Sequence, residues 1–120
     1  MPNILIVDDE PDVLEVIADE LLSHGYQVVR AADGVDAVLK FVASRPHFVL
    51  MDIRMPRMNG IDALNIMKAI DPRVPVVTFT GQAGRGEMAE SNRLGAVTCL
   101  AKPLLPSQVL ALVEDRLKVS

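Results

Sequence analysis

The stretch Asn3-Ile4-Leu5-Ile6-Val7-Asp8-Asp9-Glu10-Pro11-Asp12-Val13-Leu14 decides how this chain is read. A short apolar run suits a buried strand. It breaks off at two aspartates, and Glu10-Pro11 then opens a helix, with proline at a first position where its missing N–H costs nothing. Leu14, Ile17, Ala18 and Leu21 share one arc at about 100° per residue, while Val16 lies nearly opposite and Val13 on the flank. The helix stops near Ser23, before His24-Gly25, a glycine stop signal.

The same alternation continues to the end of the chain. Gln27 to Ala31 reads as a strand, and Asp33 caps a helix through about Ala43, with Pro46 beyond it. His47 to Met51 is a third strand, followed by a helix from about Ile61 to Ile70. Val74 to Phe79 is a fourth strand, with Pro72 and Pro75 at its start. Gly84 and Gly86 weaken the start of the next helix, which ends near Leu94-Gly95. Val97 to Ala101 is the fifth strand. Pro106 or Ser107 opens a last helix with Val109, Leu112, Val113 and Leu117 on one face. Five strand–helix units with few charges in the strands predict an α/β fold on a parallel sheet.

Composition narrows the function. The chain has 120 residues, half of them hydrophobic and 3% aromatic, so one domain with an aliphatic core is expected over 1–120. A net charge of -4 and no basic stripe argue against direct nucleic-acid binding. One cysteine, Cys99, forms no intrachain disulfide and fits a reducing compartment. The N-terminus has no signal-peptide pattern, and no apolar run nears the roughly 18 residues of a membrane span. A cytoplasmic place is expected, and no second module is visible.

Four strand runs end in polar residues: Asp8-Asp9, Asp52, Thr80-Gly81 and Lys102-Pro103. In an open parallel sheet these ends share one edge, where ligands bind. Singly, each has a plain reading. Acidic residues complement a helix N-terminus, and an aspartate after a strand is often a turn residue. Together they place three carboxylates, a hydroxyl and an ammonium at one site. Crowded carboxylates resist ionisation unless a cation joins them, and magnesium suits oxygen ligands that also take a phosphate oxygen.

With these residues in order, the chain resembles the receiver domains of two-component response regulators over its whole length. The matching pieces are Val7-Asp8-Asp9-Glu10, the segment from Val49 through Asp52, Pro56 and Gly60, then Thr80-Gly81, Gly95-Ala96 and Lys102-Pro103. The resemblance implies a flavodoxin-like (βα)5 fold, a single doubly wound five-stranded parallel sheet of order 2-1-3-4-5. It implies that Asp52 is the phosphoacceptor, taking a phosphoryl group from a phosphohistidine on a histidine kinase or phosphotransfer protein. It further implies that Asp8, Asp9, Asp52 and the Arg54 main-chain carbonyl serve Mg2+, with Asp8 acting mainly through water. Lys102 and Thr80 would bind the phosphoryl oxygens, and a cis Lys102-Pro103 bond would aim the lysine. Such a domain is not an enzyme of separate substrates; it catalyses its own phosphotransfer and slow dephosphorylation. Arg54 and Gln82 would influence the phosphoryl lifetime, and Val13 and Val16 would contact the donor. A homodimer or output-domain contact would use the face around the fourth and fifth helices.

The chain also departs from that pattern. Cys99 stands where these domains usually carry Tyr or Phe, which puts the aromatic switch in doubt. Leu104 replaces a common Phe, and Leu105 is a poor capping residue. Leu104, Leu105 and Pro106 either form an exposed apolar patch or tuck under the sheet edge. Met51, Met55 and Met58 read as packing residues, and His24 and His47 lack metal spacing. A haloacid-dehalogenase enzyme needs an aspartate where Arg54 stands. A flavodoxin-type phosphate loop needs Ser, Thr or Gly where Asp8-Asp9-Glu10 stand. The remaining alternative is a pseudo-receiver, a binding module that is not phosphorylated.

Overall fold

The computed structural model describes residues 2–55, 57–81 and 85–117. Five strands and five helices alternate: β1 (Asn3–Val7), α1 (Pro11–Ser23), β2 (Gln27–Ala31), α2 (Gly34–Ser44), β3 (Phe48–Asp52), α3 (Gly60–Ile70), β4 (Val76–Thr80), α4 (Arg85–Arg93), β5 (Thr98–Ala101) and α5 (Pro106–Leu117). All strand pairs are parallel, in the order β2-β1-β3-β4-β5. The expected (βα)5 topology is therefore present.

Side chains alternate across a strand, and here both faces are covered. Ile4, Ile6, Leu50 and Phe79 pack with Leu14, Ile17, Ala18 and Leu21 of α1 and Val109 and Val113 of α5. Leu5, Val7, Val49 and Met51 pack on the other side with Phe41 of α2 and Ala63, Leu64 and Met67 of α3. Burial on two faces explains why β1, β3 and β4 read as largely apolar runs. The arcs predicted for α1 and α5 are the buried ones, with Leu112 and Leu117 partly buried beside Val109 and Val113.

Local signals set the helix ends. Asp33 accepts the Asp36 N–H at 2.8 Å, and Asn59 accepts that of Asp62 at 2.9 Å. Gly25, after α1, has φ 89°, a left-handed conformation that glycine adopts at little cost. Several strand ends differ from expectation by a residue or two. β4 begins at Val76 because the Val74 N–H bonds to the Asp71 carbonyl in a turn, and Pro75 has no N–H to donate. β3 runs through Asp52, so that residue sits within the ladder, paired with Phe79.

The two leucines after Pro103 divide. Leu104 packs against the α1–α5 core, while Leu105 is 60% exposed. Among the described residues, no helix is long and apolar enough to cross a membrane. Pro56, Gln82 and Gly84 lie outside the described residues.

Candidate functional site

Strand register brings the predicted residues to one edge. Asp8 follows β1 and its N–H bonds to the Ala31 carbonyl at 3.1 Å; Lys102 follows β5 and its N–H bonds to the Thr80 carbonyl at 3.0 Å. Asp52 and Thr80 are the last residues of β3 and β4. Asp8, Asp52 and Thr80 are buried, Asp52 with 3% of its surface exposed. Polar groups are tolerated at such depth only with partners, and the main chain supplies some. Asp8 Oδ1 accepts the Glu10 N–H at 2.9 Å, and Asp52 Oδ1 accepts the Arg54 N–H at 3.0 Å.

Lys102 joins the carboxylates. Its Nζ lies 3.1 Å from Asp52 Oδ2, 3.6 Å from Asp8 Oδ2 and 2.8 Å from Glu10 Oε1. It also stands 5.4 Å above the centroid of the Phe79 ring, a cation–π contact. Gly81 keeps its path open: a Cβ there would lie 3.3 Å from Lys102 Cδ. The Lys102-Pro103 bond is cis, as expected.

These contacts shape the charges. Burial lifts the Asp8 pKa to about 6, against the Glu10 N–H and Lys102. Burial likewise raises that of Asp52, opposed by the Arg54 N–H and by Lys102. Burial works against the Lys102 ammonium, but its bonds to Glu10 and Asp52 outweigh that, so its pKa lies above the ordinary lysine value. The site is thus acidic, desolvated and short of positive charge.

A divalent ion fits this arrangement. Asp8 Oδ2 is buried without a hydrogen-bond partner. Asp8, Asp9 and Glu10 offer carboxylate oxygens within 4.8 Å of one another. An all-oxygen donor set beside a desolvated carboxylate is what a hard cation takes. Asp9, Glu10, Asp52, Arg54, Gly81 and Lys102 line one open cleft of about 330 Å³.

Close packing holds the cleft. A Cβ on Gly60 would lie 2.3 Å from the Asp52 carbonyl oxygen, and one on Gly34 would lie 2.0 Å from that of Met58. Glycine at both positions lets the β3–α3 loop lie on the sheet edge and on the start of α2. Arg57 adds an ion pair to Asp33 at 3.3 Å.

Asp8, Asp9, Asp52, Arg54 and Lys102 meet here with Thr80 at the end of the neighbouring strand, and two more residues join them. In the sequence Glu10 reads as part of the acidic run that opens α1, yet its side chain holds Lys102. Its place directly after Asp8-Asp9 was the available signal. Glu87, in the first turn of α4, binds the Arg54 guanidinium at 2.5 Å. No local pattern links two residues so far apart in sequence. Cys99 is buried, and that burial raises its thiol pKa, as suits a small packed hydrophobe.

A groove of about 570 Å³ adjoins the site, lined by Glu10, Asp12, Val13, Val16, Ile17, Lys102, Pro103 and Leu104. Val16 is 56% exposed on its wall.

Comparison with known proteins gives a consistent picture. The family model described as "Response regulator receiver domain" matches residues 4–114. Sporulation initiation phosphotransferase F of Bacillus subtilis is 38% identical over 101 residues, covering 84% of this chain and 82% of its own length. The transcriptional regulatory protein PrrA of Mycobacterium bovis is 30% identical over 98% of this chain, which spans only 50% of PrrA. Among solved structures, a CheY-like receiver domain protein from Methanospirillum hungatei superposes with TM-score 0.92 at 28% identity, covering 96% of this chain and 92% of that one. CheY in a CheX-CheY-BeF3-Mg2+ complex from Borrelia burgdorferi superposes with TM-score 0.87 at 30% identity, covering 95% of this chain and 87% of that one.

Proposed function

Because this chain belongs to the response regulator receiver domain family of two-component signalling, we propose that it accepts a phosphoryl group on Asp52 from a phosphohistidine donor. The observation that carries this reading is the convergence at one sheet edge of buried Asp52, Lys102 Nζ at 3.1 Å and the Asp8–Asp9–Glu10 oxygens.

An Asp52 carboxylate oxygen attacks phosphorus. The bond from phosphorus to the donor imidazole nitrogen breaks, that nitrogen keeps the electron pair, and an acyl phosphate forms. Lys102 balances charge on the transferring oxygens, and the Thr80 hydroxyl donates to one of them. Asp8, Asp9 and Asp52, with the Arg54 main-chain carbonyl, would hold Mg2+. When bound it supplies neutralising charge to the phosphoryl oxygens. Glu10 gives up Lys102 as the phosphoryl group arrives.

The groove beside the site supports donor docking through Val13 and Val16, since it places an apolar wall next to Lys102. The domain acts by changing its contacts, in part through the face around α4 and α5, rather than by turning over a separate substrate. The arrangement at Arg54, and Gln82 with it, influences how long the phosphoryl group lasts. A cytoplasmic setting suits the single buried cysteine. We take residues 1–120 as one receiver domain.

The test is mass spectrometry after incubation with magnesium and acetyl phosphate. Wild type gains one phosphoryl mass, and Asp52→Asn gains none. A folded wild-type protein that gains no mass is a pseudo-receiver, and the proposal fails.

A further inference from the structure

Arg54 stands at two clefts at once. It lines the acceptor cleft with Asp52 and Lys102, and a neighbouring cleft with Asp9, Asn59 and Glu87. Its main-chain N–H is bonded to Asp52 Oδ1 at 3.0 Å. Its guanidinium reaches the other way, to Glu87 Oε1 at 2.5 Å. That pair ties the loop after β3 to the first turn of α4.

Polar contacts carry much of the hold on α4. Among the described residues, neither core cluster contains a member of this helix. Its buried residue is Ser91, whose Oγ lies 2.5 Å from Thr78 Oγ1. A helix held by hydroxyls and an ion pair gives way more readily than one held by an apolar stripe. Both members of the ion pair are partly exposed, and such pairs are weak.

We propose that Glu87 positions Arg54 in the unphosphorylated protein, and that a phosphoryl group on Asp52 draws the guanidinium away and releases the first turn of α4. This rests on Asp52 being the acceptor. An acyl phosphate presents more negative charge and more acceptor oxygens than one carboxylate, and the planar guanidinium fork matches them. Arg54 is already anchored beside the acceptor by its main chain, so only its side chain needs to turn. The exchange gives this chain a route from Asp52 to α4 that needs no aromatic ring at the position of Cys99.

The experiment measures amide hydrogen exchange in α4 and in α2, with and without magnesium and acetyl phosphate, with phosphoryl occupancy weighed in the same samples. In wild type, phosphorylation should speed exchange in the first turns of α4 by about two- to five-fold and leave α2 unchanged. Glu87→Gln should exchange at the faster α4 rate beforehand and show no further rise on phosphorylation, with α2 again unchanged. The double variant Arg54→Gln/Glu87→Gln should match Glu87→Gln alone. The inference is overturned if Glu87→Gln keeps the wild-type response, if α2 accelerates equally, or if phosphorylated wild type shows no change in α4. If wild type gains no phosphoryl mass, the assignment of Asp52 fails and takes this inference with it.

Discussion

Asp8 sits at the end of β1 with its carboxylate out of water, and burial lifts its pKa from 3.8 to about 6. The fold therefore binds this proton more tightly than the unfolded chain does. Stability drawn from the group is complete below pH 3.8 and is lost as pH rises to about 6. At neutral pH the metal-free protein carries a desolvated carboxylate whose Oδ2 lacks a hydrogen-bond partner. Asp8→Asn removes that charge. Urea titration without magnesium at pH 7.5 should find the variant more stable by about 1–3 kcal/mol, with the gain vanishing near pH 4. Magnesium should stabilise wild type, increasingly so above pH 6, and Asp8→Asn much less. Equal metal-free stability of the two proteins at pH 7.5 would contradict the strain assigned to Asp8.

At the scale of elements, α1 serves two surfaces with one sequence. Leu14, Ile17, Ala18 and Leu21 face the sheet, and Val16 is left on the wall of the groove. An exposed valine contributes little to stability, so Val16→Glu should unfold at nearly the wild-type midpoint, within ~0.5 kcal/mol. A charge there should nevertheless disrupt an apolar docking contact. Phosphotransfer from the cognate phosphohistidine donor should slow by about ten-fold or more, while labelling by acetyl phosphate stays unchanged. An unchanged rate from the cognate donor would show that docking uses another face. The loop between β3 and α3 is built to a closer tolerance. Gly34 and Gly60 admit main-chain atoms where a Cβ would collide, and this holds Asp52 and Arg54 at the cleft.

The whole molecule is two cores on one sheet. The α1–α5 core and the α2–α3 core are separated by the strands, so substitutions in different cores lack shared partners. Ile17→Val should cost about 0.5–1.5 kcal/mol and Leu64→Ala about 2–5 kcal/mol. The double variant should cost their sum to within ~0.5 kcal/mol, with an unchanged denaturant slope. A larger discrepancy would mean that the sheet transmits strain between its faces. Much of this architecture was legible in the chain alone. Strands buried on both sides must be largely apolar, helices must bury one arc, and Pro11, Asp33 and Gly25 mark ends through local backbone rules. The residues Asp8, Asp9, Asp52, Thr80 and Lys102 were legible too, because parallel strands deliver their carboxyl ends to one edge. Local rules have no term for distance between elements, so they did not reveal that Glu10 holds Lys102, that Glu87 holds Arg54, or that Leu104 packs while Leu105 stays exposed. Those outcomes depend on how far α1, α4 and the loop before α5 stand from the sheet edge. Side-chain periodicity is written along the chain, whereas a charge finds its partner only when packing has set the space between elements.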